Sequence, residues 1–224
     1  MTYKCVVFDF DGTLADTEEK AFNIYNELAT KYKYSTVTME ELQHIKNLHV
    51  KEIKEIVDIP FYQFPRALRD GQKMMRKEST EIHAFAADIH DFFTALRKET
   101  NHIGILTSNI KKTVSDFLTT YDISHEIEFI MCSALLSKSK KIKKVLRKHD
   151  IRPGEMLYVG DEVRDIEACH KVGVDVVAVN WGYNTPSALE KCKPTFMIDN
   201  IWDVIEIVRT KNKPSIRSDF YQKD

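Results

Sequence analysis

Apolar positions along this chain change rhythm twice. Val6-Val7-Phe8 form a continuous apolar run, as a strand buried on both faces requires, and the run ends in Asp9-Phe10-Asp11-Gly12-Thr13-Leu14. The pattern then turns helical. Phe22, Tyr25, Leu28 and Tyr32 recur at helical spacing behind Asp16 or Thr17 as N-cap. Thr38-x-x-Glu41 reads as a capping box opening a second helix. Ile53, Ile56 and Val57 predict a short third, and Leu68, Met74 and Met75 a fourth after Pro65. No strand is expected between residues 16 and 82, so this block reads as a helical insert.

Beyond it, helix and strand alternate. Ile89, Phe92, Phe93 and Leu96 predict a helix, Ile103 to Leu106 a strand, and Val114, Phe117, Leu118 and Tyr121 a helix. A strand over 127–131 and a helix through Ile142, Val145, Leu146 and His149 follow, then a strand from Met156 to Val159. Residues 166–171 read as helix, 174–179 as extended, 196–198 as a short last strand and 201–208 as a last helix. Such alternation implies crossover connections and a parallel sheet covered on both faces. The expected architecture is α/β: a Rossmann-like three-layer core from residues 1–15 and 83–210, an α-helical insert over 16–82, and a polar, mobile tail over 211–224.

In a doubly wound sheet, ligands bind outside the carboxyl ends of the strands. The residues there are Asp9 and Asp11 after the first strand, Thr107-Ser108-Asn109 after the second, and Gly160-Asp161-Glu162-Val163-Arg164-Asp165 after the fourth. Lys138-Ser139-Lys140 opens the helix between the last two. Taken singly, these are ordinary helix caps and a solvated lysine face. Clustered carboxylates repel unless a cation lies between them or one keeps its proton, and hard cations favour oxygen ligands of this kind.

Composition narrows the partners. Lys and Arg number 33 against 34 Asp and Glu, so no strong field points to nucleic acid or an anionic membrane. Lys140 to Lys148 carries no interleaved aromatic residue for base stacking. Four dispersed cysteines, Cys5, Cys132, Cys169 and Cys192, form no Cys-x-x-Cys pair and read as small buried residues. His44, His49 and His83 lack metal-ligand spacing. With no signal-like or membrane-length apolar run, a soluble, cytoplasmic chain is expected, as monomer or weak homodimer.

The order Asp9-x-Asp11-Gly12-Thr13, then Thr107, then a lysine, then Gly160-Asp161-x-x-x-Asp165 resembles the four motifs of the haloacid dehalogenase superfamily. The resemblance is nearest to its phosphoglycolate-phosphatase-like branch and extends over residues 4–208. It implies a Mg2+-dependent phosphatase acting on a small phosphorylated metabolite, phosphoglycolate-like or a sugar phosphate. Asp9 would be the nucleophile and Asp11 the general acid and base. The metal would lie between Asp9, the main-chain carbonyl of Asp11 and Asp161. Thr107, with Ser108 as its competitor, and Asn109 would bind phosphate oxygens. So would Lys138, preferred over Lys140 although no proline follows it. Asp165 would orient the lysine or a metal-bound water. The insert corresponds to the family's C1 cap, hinged at 15–17 and about 80–87. Trp181-Gly182-Tyr183-Asn184 matches a turn of the same branch and carries no expected catalytic role. A phosphomutase shares these motifs, a phosphonate hydrolase would need a cap lysine such as Lys46, Lys51 or Lys54, and a non-catalytic binding protein on this fold is the reading from another class.

Overall fold

The computed structural model describes residues 2–48, 59–60, 62–77, 81–132 and 138–213. The expected short helix around Ile53 to Val57 lies outside them, as do His49, Lys51 and Lys54. Eight strands are described: β1 (Cys5–Phe8), β2 (Ala15–Asp16), β3 (His83–Ala84), β4 (His102–Thr107), β5 (Phe129–Cys132), β6 (Met156–Gly160), β7 (Asp175–Val179) and β8 (Phe196–Ile198). The helices are α1 (Glu18–Tyr32), α2 (Met39–Ile45), α3 (Phe64–Lys77), α4 (Ile89–Leu96), α5 (Lys111–Thr120), α6 (Lys138–Lys148), α7 (Val163–His170), α8 (Pro186–Lys191) and α9 (Asp203–Asn212).

Six strands form one parallel sheet in the order β5-β4-β1-β6-β7-β8. Strand alternation sorts its side chains onto two faces. Val6 and Phe8, with Ile103, Ile105, Leu157 and Val159, pack against apolar residues of α4, α5 and α9. Cys5 and Val7, with Leu106, Met156 and Tyr158, pack against α6, α7 and α8. The strand order reverses between β1 and β6, so their carboxyl ends flank the crevice where a ligand can enter.

The helical block leaves and re-enters this core through β2 and β3, a two-residue antiparallel ribbon pairing Ala15 with Ala84 and Asp16 with His83. Neither strand is among those the sequence predicts, since so short a strand leaves no alternation to read. Thr38 and Glu41 form the expected capping box on α2. Val37, Leu42 and Ile45 pack against Tyr183 of the core, while Asn184 Nδ2 and Thr185 N both donate to the Lys46 carbonyl. These contacts seat the insert on the loop after β7.

Four other details differ from the sequence reading. Thr17 is the N-cap of α1, but its hydroxyl makes no capping bond and donates to Asp11 at 3.1 Å. α8, opened by Thr185 and Pro186, was not anticipated. α9 runs past Thr210 to Asn212, whose side chain accepts from Tyr3 N and donates to the Glu99 carbonyl. Cys132 is exposed because it ends β5, the edge strand, whereas Cys5 and Cys169 are buried. Among the described residues, no helix is long and apolar enough to cross a membrane.

Candidate active site

The sequence places acids where β1 and β6 end, and the sheet brings them together. Asp9 follows β1 and is tied to the neighbouring strand by its amide, which donates to Val159 O at 2.8 Å. Asp161 follows β6, and Asp165 lies one turn into α7. All three are buried, and one carboxylate oxygen from each lies within 4.8 Å of the others. Lys138, the first residue of α6, reaches into this group and donates to both Asp9 Oδ2 and Asp165 Oδ1. Its ammonium also lies 5.6 Å from the Tyr158 ring centroid, where the π face adds to its attraction. Lys140, the competing lysine, is exposed and lies on a different part of the α6 surface.

Packing around Asp161 is tight enough to dictate two glycines. Gly12 has φ +78°, and a Cβ there would lie 2.1 Å from Asp161 Oδ2. A Cβ on Gly182 would lie 2.1 Å from Asp161 Cβ and 2.6 Å from Gly12 O. Thr13 Oγ1 and Tyr183 N donate to the two oxygens of Asp161 at 2.7 and 2.8 Å. Trp181 Nε1 donates to Thr13 O. The Trp-Gly-Tyr-Asn turn therefore frames the acid that follows β6, a positioning contribution that its sequence alone did not show.

Asp11 occupies a separate position. Asn109 Nδ2 donates to both of its oxygens, at 3.0 and 3.2 Å, and Thr17 Oγ1 to one. Thr107 is buried at the end of β4, and its hydroxyl accepts from Asn109 N at 2.8 Å. Ser108 is half-buried, with its carbonyl accepting from Gln72 of the insert. Thus the carboxylates that converge are Asp9, Asp161 and Asp165, while Asp11's is drawn to Asn109 and Thr17. The side chain of Asn109, expected on phosphate, also holds Asp11.

Burial and mutual repulsion control the charge states. Burial pushes the Asp11 carboxyl up to about 6, with Asp9 adding to the rise and the Asn109 and Thr17 hydrogen bonds opposing it. Burial likewise raises Asp161 well above the usual carboxylate range, with Glu162 and Asp9 contributing. Asp165 rises to about 7, again through burial, which outweighs the pull of Lys138. Burial disfavours charge on Lys138, but Asp165 and Asp9 more than offset it and hold the ammonium protonated. Three buried carboxyls facing one ammonium cannot all ionise without a further cation, and the donors are all oxygen. That donor set fits a hard divalent cation.

A second metal-competent group lies at the amino end of the sheet. Glu128 Oε2 is 2.6 Å from His102 Nδ1 and Oε1 is 3.4 Å from His149 Nδ1. Their wide separation in sequence hides this juxtaposition.

The chain is 26% identical over 206 residues to a phosphoglycolate phosphatase of Synechococcus elongatus, covering 92% of this chain and 97% of that one. It is 25% identical over 219 residues to pyrophosphatase PpaX of Bacillus cereus, covering 95% and 100% respectively. A haloacid dehalogenase-like family hydrolase from Streptococcus pneumoniae superposes with a TM-score of 0.76 at 18% identity, over 91% of this chain and 97% of that one. Residues 6–179 match the family model for haloacid dehalogenase-like hydrolases, and the chain belongs to that family.

Proposed function

We propose that this hydrolase is a magnesium-dependent phosphatase that cleaves a small phosphate monoester through an aspartyl-phosphate intermediate, with the helical insert serving as a cap. The observation that carries the reading is the placement of Asp9, Asp11 and Lys138. A buried carboxylate beside a buried ammonium ends the central strand, and a carboxyl with a raised pKa stands two residues further on.

Asp9 is the nucleophile. Its carboxylate oxygen attacks phosphorus and the bond to the leaving oxygen breaks. Asp11 gives its proton to that oxygen, releasing a neutral alcohol. Asp11, now ionised, takes a proton from the incoming water as the water attacks phosphorus, and the bond to Asp9 breaks. Asn109 and Thr17 hold the Asp11 carboxyl for both transfers. Lys138 and Thr107 accommodate the non-bridging phosphate oxygens, and Asp165 keeps Lys138 aimed at them. Asp9, the Asp11 main-chain carbonyl and Asp161 would hold Mg2+, with Asp165 close by. The ion would screen carboxylate from phosphate and stabilise the charge that develops on the transferring group. The insert, hinged at β2 and β3, excludes water and reads the leaving group.

The names of the two curated relatives support phosphate-ester or phosphoanhydride cleavage as the reaction class. The test is phosphate release from an aryl phosphate with and without Mg2+. Asp9→Asn is expected to abolish turnover, and Asp11→Asn to lower kcat by about 10²- to 10⁴-fold. Full activity in Asp9→Asn, or in wild type stripped of divalent metal, would refute the mechanism.

A further inference from the structure

We infer that the leaving group this chain selects is an uncharged apolar alcohol, aromatic or medium-chain aliphatic, bound in the cavity between α1 and α3. This rests on the phosphatase reading above and narrows its substrate class. The cavity measures about 330 Å³ and has Asp11 on its wall, so an alcohol whose oxygen lies beside Asp11 can extend into it. Its other walls include Ile24, Leu28, Tyr34, Ala67 and Met75, all buried. An apolar cavity of about 150 Å³ already takes benzene, so this one has room for a ring with substituents or a short chain.

The polar groups at its mouth are committed. Thr17 and Asn109 donate to Asp11, and Gln72 Nε2 donates to the Ser108 carbonyl at 3.1 Å. Asp11 is the only carboxylate or cationic side chain among the described lining residues. Among the described lining residues, the carboxylate of phosphoglycolate, or the second phosphoryl group of pyrophosphate, would meet apolar walls and an acid instead of a countercharge. Hydrophobic transfer, by contrast, rewards each methylene that enters.

Gly71 lets α3 approach α1 closely along the same wall. Glycine in a helix interior is unfavourable relative to alanine, yet α3 carries one on the cavity wall. A Cβ there would lie 3.3 Å from Leu28 Cδ1 and 3.6 Å from Ile24 Cγ2, so any side chain would crowd that wall.

The experiment measures kcat/KM on the full chain with Mg2+ for n-alkyl phosphates from methyl to hexyl, and for phenyl phosphate, phosphoglycolate and pyrophosphate. Leaving-group reactivity is nearly constant along the longer alkyl esters, so the slope there reports binding. A rise of about fourfold per methylene is expected until the cavity fills. Phenyl phosphate should exceed phosphoglycolate at least tenfold. Gly71→Leu should lower the hexyl-to-methyl ratio at least tenfold; Ala67→Leu gives the same reading should Gly71→Leu fail to fold. A flat alkyl series, an unchanged ratio in the folded variant, or a preference for phosphoglycolate or pyrophosphate, with Asp9→Asn inactive, overturns the inference and leaves the phosphatase reading standing. No phosphate from any ester overturns both.

Discussion

Replacing Lys138 with methionine tests the electrostatic account of the site most directly. The side chain is similar in length and the ammonium is lost, leaving Asp9 and Asp165 buried and facing each other. At an ion-pair separation of about 3 Å and an effective dielectric of about 20, each Lys138–carboxylate attraction is worth about 5 kcal/mol before desolvation. Desolvation cancels much of that, and breaking a buried pair by removing one partner leaves a net cost of about 3 to 5 kcal/mol. With a urea m-value of about 3 kcal/mol/M, the unfolding midpoint should fall by about 1 to 2 M. The assay is urea unfolding followed by Trp181 and Trp202 fluorescence in EDTA, then in Mg2+. Loss should be largest in EDTA, because a divalent cation offsets the bare carboxylates. The double variant sharpens the test. Asp165→Asn should destabilise the wild type, where it deprives Lys138 of a partner, and cost little in Lys138→Met, where the Asp165 carboxyl has no ammonium to hold and keeps its proton. A midpoint change below about 0.3 M in EDTA, or additive effects in the double variant, would refute the reasoning.

Gly182→Ala should displace Asp161, since its Cβ would start 2.1 Å from Asp161 Cβ. The expected result is at least about a tenfold loss of activity with weakened Mg2+ binding by calorimetry, because overpacking of this kind shifts backbone. Glu155, which Arg152 and Lys4 hold well below the usual carboxylate range, makes stability pH-dependent. Its folded-state pKa is depressed, so its contribution is present above the unfolded value of about 4.3 and is lost as pH falls through the folded value. Glu155→Gln should therefore lower Tm at pH 7, and the gap from wild type should narrow as pH falls below about 4 in thermal melts.

The alternation of apolar runs and helical faces carries the architecture because buried strands and one-sided helices must be written in side-chain hydrophobicity. That is why β1, β4, β6 and β7, the placement of Asp9 and Asp161 at strand ends with Asp165 in the helix that follows, and the Thr38 capping box are legible in the sequence. Local pattern cannot show which distant groups compete for one atom. Thr17 reads as a helix cap until Asp11 is folded against it, and nothing local to Asn109 shows that its amide reaches the same carboxyl. Lys138 and Lys140 are equivalent by composition. Two residues turn a helix by about 200°, so only one of them can face the carboxylates. The β2–β3 ribbon, the His102–Glu128–His149 group and the α1–α3 cavity pair segments too short or too far apart to leave a periodic trace. The sequence by itself determined the sheet and the acids at its edge. Tertiary packing decided which lysine joins them, what steadies Asp11 and what kind of space lies beyond it, because those properties belong to contacts between segments and to no single segment.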